Sequence, residues 1–190
     1  MSLDRRSFLG TAAALATTAA LPAHAHAADA AVIDARVNLA LQELYKQYPG
    51  SKELATKAKA ILVMPDVIKG GFIVGGSYGE GALRMNDPTH AFEKTEEYYS
   101  VAAASVGFQA GLQETSHALF FLTDSALSAF RRKDGWEVGA DAEVTFPDAG
   151  VNIGTNSSVL NQPVIGFVFG EDGVLVGASL EGAKYSRIVR

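Results

Sequence analysis

The stretch from Ile61 to Met85, ILVMPDVIKGGFIVGGSYGEGALRM, interleaves apolar and β-branched residues with six glycines instead of with charges. Glycine in an extended segment costs roughly 0.5–1 kcal/mol relative to alanine, so Gly70, Gly71, Gly75, Gly76, Gly79 and Gly81 are together a burden unless they serve the geometry. In strands, glycine marks bends, bulges and places where another backbone or a ligand comes close. The segment is therefore expected to be tightly curved sheet and the first place to seek a binding surface.

On the amino-terminal side, Ile33, Val37, Leu41, Leu44 and Tyr48 recur three or four apart among Asp34, Arg36, Asn38, Gln42, Glu43 and Lys46. That spacing predicts an amphipathic helix over Ala30–Tyr48, closed by Pro49-Gly50. Ser51 is placed to cap a second, shorter helix with Leu54, Ala55, Ala58 and Ile61 on its apolar face. Beyond Leu62 the texture is that of strands. Apolar runs at Phe72–Val74, Ala82–Met85, Tyr98–Gln109, Ala118–Leu122, Trp136–Phe146, Val164–Phe169 and Val174–Leu180 are divided by turn signals such as Asn86-Asp87-Pro88 and Glu171-Asp172-Gly173. One helix interrupts them around Ser125–Arg132, capped by Asp124 or Ser125, with Arg131-Arg132-Lys133 at its negative carboxyl end. Asn152–Gln162 reads as a long exposed loop. Helices first, then many strands with one inserted helix, predict an α+β fold: amino-terminal helices on a glycine-rich, strongly curved or barrel-like, mainly antiparallel β-sheet.

Ahead of all this stands MSLDRRSFLG, with Arg5-Arg6 in the order R-R-x-F-L, then a mild apolar run from Gly10 to Leu21. Twelve residues are too few to cross a bilayer core, which needs about twenty. Pro22 and the small-x-small pattern through Ala23, Ala25 and Ala27 complete a removable signal of the twin-arginine type, residues 1–27, with cleavage expected after Ala27 and export to the periplasm. Residues 28–190 are then expected to form a single domain. Loss of the leader removes Asp4, Arg5 and Arg6 and takes the formal net charge from −5 to −6. Such a balance argues against nucleic acid, which needs a concentrated basic face. With no cysteine in the chain there is no disulfide, thiol nucleophile or cysteine-borne lipid anchor.

The candidate chemistry is sparse. Gly75-Gly76-Ser77-Tyr78-Gly79 matches G-x-S-x-G, the nucleophile elbow of hydrolases, with Asp87 and His117 as triad partners in the required order. That motif requires a helix directly after the serine, whereas Glu80–Asp87 carries another glycine and runs into a proline turn. No Gly-Lys-Ser/Thr follows the glycines to make a phosphate cradle. His24 and His26 leave with the signal, and His90 and His117 lack the partners of a zinc site, so neither metal nor cofactor is expected. Glu93, Glu96 and Glu97 beside Lys94 read as a solvated edge. Trp136, the sole tryptophan, is expected in the core or capping it.

Five ordered blocks together resemble the SYLF domain family: PGSKELATKAKAILVMPDVIKGGFIVGGSYGEGAL from Pro49 to Leu83, SVGFQAG from Ser105 to Gly111, FFLTDSALSAF from Phe120 to Phe130, VGADAEV from Val138 to Val144, and VIGFVFGEDGVLVGASLEGAKYSRI from Val164 to Ile188. The resemblance is to the bacterial envelope branch, and it implies a non-enzymatic phospholipid-binding protein with a glycine-rich curved β core. Two features depart from the family: the lipid-modified cysteine of many bacterial relatives is absent, and Asp87-Pro88-Thr89-His90-Ala91-Phe92 stands where a tryptophan-containing element is usual. The phosphoinositide and actin links of eukaryotic members are not carried over. Under this reading Lys52, Lys57, Lys59 and Lys69 form the expected basic lipid contact, supplying locally the attraction that an acidic chain lacks overall. The competing expectations are a periplasmic interaction module without lipid binding, and a Ser77 hydrolase.

Overall fold

The computed structural model describes residues 28–190 apart from 72–73, 90, 107–111, 148–155, 171–172 and 175–179. The expected leader over 1–27 lies outside them, as do Phe72 and Ile73, the last three residues of the run expected at Tyr98–Gln109, and 175–179 of the run expected at Val174–Leu180. Helix α1 spans Ala30–Gln47 and buries Ile33, Val37, Ala40, Leu41 and Leu44, as its 3.6-residue spacing predicts. Helix α2 runs over Pro49–Lys57. It begins three residues earlier than a Ser51 cap implies because Pro49 occupies the first helical turn, where its missing N–H costs nothing. Ser51 is therefore inside the helix, its hydroxyl donating to the Tyr48 carbonyl at 2.5 Å. Ile61 is not helical and belongs to the first strand.

The strands are β1 (Ala60–Gly71), β2 (Val74–Met85), β3 (Thr95–Val106), β4 (Leu112–Phe121), β5 (Trp136–Glu137), β6 (Val164–Gly170), β7 (Gly173–Val174) and β8 (Lys184–Ile188), with helix α3 (Asp124–Arg132) after β4 and the single turn α4 (Ser157–Leu160) before β6. They form one eight-stranded sheet in the order β5-β8-β3-β2-β1-β4-β6-β7, and every named pair is antiparallel. The outermost strand β5 is two residues long, and at the other border β7 is described over Gly173–Val174. The expected Trp136–Phe146 strand is reduced to β5, after which the chain crosses to β6. There Thr145 donates its N–H to the Val164 carbonyl at 3.1 Å, and its own carbonyl accepts from Gly166 N–H at 2.9 Å. In the described part of the expected 152–162 loop, α4 buries Val159.

The sheet curls. Leu62, Leu83, Tyr99, Val101, Leu119 and Phe121 from its middle share one buried cluster with Trp136 and Tyr185 from one end and Val164 and Val168 from the other. The rings of Phe121 on β4 and Trp136 on β5, five strands apart in the sheet, have centroids 6.4 Å apart, which requires the sheet to fold over its inner face. Helix α3 plugs this face through Leu127 and Phe130. The Phe130 ring lies 4.8 Å from Tyr99, 4.9 Å from Phe121 and 5.3 Å from Trp136 between centroids, which puts Trp136 in the core. The cap of α3 is Thr123, one residue before the expected pair, its hydroxyl accepting from Ala126 N–H at 3.2 Å. On the outer face α1 and α2 cover Ile61, Val63, Ala82, Ala118, Phe120, Ile165 and Phe167. Each large side chain so buried stabilises the fold by roughly 1.5–3 kcal/mol.

The glycines act where curvature is sharpest. Strand β1 is bulged between Val63 and Ile68, with Asp66 at φ 52°. This presses its backbone onto β2, so that a β carbon on Gly79 would lie 2.8 Å from Val67 Cγ2. No side chain fits there, and the expectation of tightly bent, glycine-dependent sheet holds.

Candidate functional site

The bulge also decides which side chains face outward. Ala60, Leu62 and Met64 belong to the inner core cluster, as does Val67, but two residues, Pro65 and Asp66, lie between Met64 and Val67 where regular alternation has one. The alternation is thereby inverted, and Ile68 emerges on the outer face. It stands opposite Tyr78 of β2, which in turn stands opposite Ala102 of β3. Ile68 is 51% and Tyr78 50% exposed, on the part of the outer face that the helices leave uncovered. The same cross-strand row continues to Glu114 on one side and Lys184 on the other, both exposed. The result is a short apolar strip with charged ends.

The four predicted lysines do not gather in one place. Lys52 and Lys57 are exposed on α2, and Lys59 follows directly. Lys57 pairs with Glu53 at 3.9 Å and Lys59 with Asp124 of α3 at 3.4 Å, so part of their charge is already matched. Lys69 lies ten residues along β1 from Lys59, on the order of 30 Å in extended chain. It stands half-exposed between Ser77 and Gln113, next to Ile68 in sequence. The basic set therefore divides into three at the α2 end and one on β1, whose side chain projects from the opposite face to Ile68.

Helix α1 is fastened to the sheet by more than its apolar face. Arg84, 2% exposed on β2, donates to Asn38 Oδ1 at 2.5 Å, to the Phe92 carbonyl at 3.0 Å and to the Asp34 carbonyl at 3.3 Å. The Asp34 carboxylate is 3.7 Å from the guanidinium and accepts from the Thr95 and Tyr98 hydroxyls. Burial lowers the Arg84 pKa, and Asp34 opposes the shift. Removing α1 from the sheet would expose both this network and five buried apolar side chains.

Ser77 lies within the continuous strand β2, paired with Lys69 and Ala103, and no helix follows it. His117 is buried on β4, two strands away, with Thr115 Oγ1 at 3.4 Å from its Nε2. Asp87 lies beyond the far end of β2 from Ser77, about ten extended residues away. The three cannot assemble a triad. Among the described residues no group of three or more His, Asp or Glu is arranged to hold a metal, and no helix is long and apolar enough to cross a membrane. Glu96 and Glu97, read from sequence as a solvated edge, both pair with Arg131, at 3.4 and 3.1 Å.

Residues 102–188 match the family model Ysc84, described as Las17-binding protein actin regulator, which is the SYLF domain. No curated protein matches the chain.

Proposed function

From the match of residues 102–188 to the SYLF family, we propose that the chain is an exported, non-enzymatic phospholipid-binding protein of the bacterial cell envelope. The observation that carries this reading is the pair Ile68 and Tyr78, two large side chains half exposed and directly opposed on neighbouring strands. Sinking their exposed halves into the headgroup boundary supplies about 2 kcal/mol. A lysine close to an anionic surface adds about 1 kcal/mol, a role assigned here to Lys52, Lys57 and Lys59 at the α2 end, since Lys69 projects from the opposite face of β1 to Ile68. Sums of this size give reversible association. The domain docks with its core closed, since opening α1 would break the Arg84 network.

Co-sedimentation with vesicles of anionic or zwitterionic phospholipid, across a salt series, tests the proposal. Wild type is expected to sediment with anionic vesicles and to be released as salt rises. Ile68→Ser with Tyr78→Ser is expected to abolish binding, and Lys52→Glu, Lys57→Glu and Lys59→Glu together to weaken it. Absence of sedimentation with any vesicle would sink the lipid reading in favour of a periplasmic protein-interaction module.

A further inference from the structure

Glu80, on the outer face of β2, is 12% exposed at its side chain and divides its carboxylate between two sets of partners. Oε1 accepts from the Tyr78 hydroxyl at 2.8 Å and from the Arg190 guanidinium at 2.5 Å. Oε2 accepts from the backbone nitrogen of Ala28 at 3.3 Å. Ala28 is the residue that follows the expected cleavage bond.

We propose that Glu80 is the built-in receptor for the amino terminus created by removal of the leader. Hydrolysis of the Ala27–Ala28 peptide bond by a signal peptidase consumes one water, leaves a carboxylate on Ala27 of the released leader, and frees an amine on Ala28 that takes up a proton. The amide N–H at Oε2 thereby becomes an ammonium, and a hydrogen bond becomes an ion pair in a half-buried setting. Several features fit this exchange. The two cations, Arg190 and the new terminus, fall on different oxygens of one carboxylate, which limits their mutual repulsion. Helix α1 begins two residues on, at Ala30, with no side-chain cap on its first turn. A positive charge at that end of a helix is opposed by the macrodipole, so an uncompensated ammonium would weaken α1. Glu80 supplies the compensation from β2. Cleavage then tightens the attachment of α1 instead of fraying it.

The inference rests on the export reading above and is independent of lipid binding. The full-length gene is expressed in a bacterial host as wild type, which is exported, and as Arg5→Lys with Arg6→Lys, which retains the precursor. Each is made with and without Glu80→Gln. The expected exported product begins at Ala28 by N-terminal sequencing and intact mass. Its Tm is expected to exceed that of the precursor by about 2–4 °C, the shift of a single favourable ion pair in a chain of this size. Glu80→Gln breaks the Tyr78 and Arg190 contacts in both forms equally, so the difference between forms isolates the amine and should vanish. Selective acetylation of the exported wild-type amino terminus should lower its Tm by a similar amount. Cleavage at another bond, or an equal effect of Glu80→Gln on both forms, overturns the proposal while export stands. Absence of any processed product overturns it together with the export reading and leaves lipid binding untouched.

Discussion

A β carbon placed on Gly81 would lie 2.0 Å from the carbonyl oxygen of Val63 on the neighbouring strand. The atom it would meet is backbone, which cannot swing aside as a side-chain end can. Gly81→Ala must therefore push β1 and β2 apart at the bulge, and a loss of at least about 3 kcal/mol is expected, the upper end of overpacking costs. Gly76→Ala, where the nearest atom is 3.4 Å away, should be close to neutral. Urea denaturation of the two variants measures the contrast; equal stabilities would refute the account of curvature.

Arg84 holds α1 through its side chain, so truncation should act as the removal of one partner from a buried polar cluster. Arg84→Ala is expected to destabilise by about 3–5 kcal/mol. Arg84→Met, which refills the volume, should cost less, because Asp34 keeps the hydroxyls of Thr95 and Tyr98 as donors. Thermal melts of the three proteins rank them.

Burial lowers the pKa of His117 from its ordinary 6.5 to about 4. The unfolded chain takes up a proton on this ring below 6.5, whereas the folded chain resists until about 4. Stability is thus fully present above pH 6.5 and is lost as the pH falls toward 4, by about 3 kcal/mol across the window. The urea midpoint of wild type should drop between pH 7 and 5, and that of His117→Leu should stay flatter over the same range.

Trp136 packs against Phe130 and Tyr185 inside the curled sheet. If the domain docks on a bilayer with its core closed, tryptophan emission should be unchanged by saturating anionic vesicles. A shift on binding would show that the inner core opens, and would count against contact through the Ile68–Tyr78 strip alone.

The helices were legible because Ile33, Val37, Leu41 and Leu44 repeat at the helical period with no competing signal. The curvature was legible from glycine density. What escaped was set by events between strands. The sequence around β1 alternates as if Met64 and Ile68 shared a face, and only the bulge at Asp66 turns Ile68 outward beside Tyr78. β8 was missed because Lys184–Ile188 carries a single inward anchor, Tyr185, among charged and small residues. The lysines looked contiguous in sequence, yet the length of β1 sets Lys69 apart. Glu80 gave no signal, since two of its partners, Ala28 and Arg190, lie 52 and 110 residues away in sequence.

The two-residue length of β5 matters for a chain so rich in glycine, valine and alanine. A long, flat border would offer neighbouring copies a row of free amide and carbonyl groups to zip onto, the first step toward fibrils. Here the β5 border ends after two residues, and the crossing at Thr145 shields the start of β6. Mutations that lengthen the β5 border, or that strip Thr145 from β6, are where self-association should first be sought.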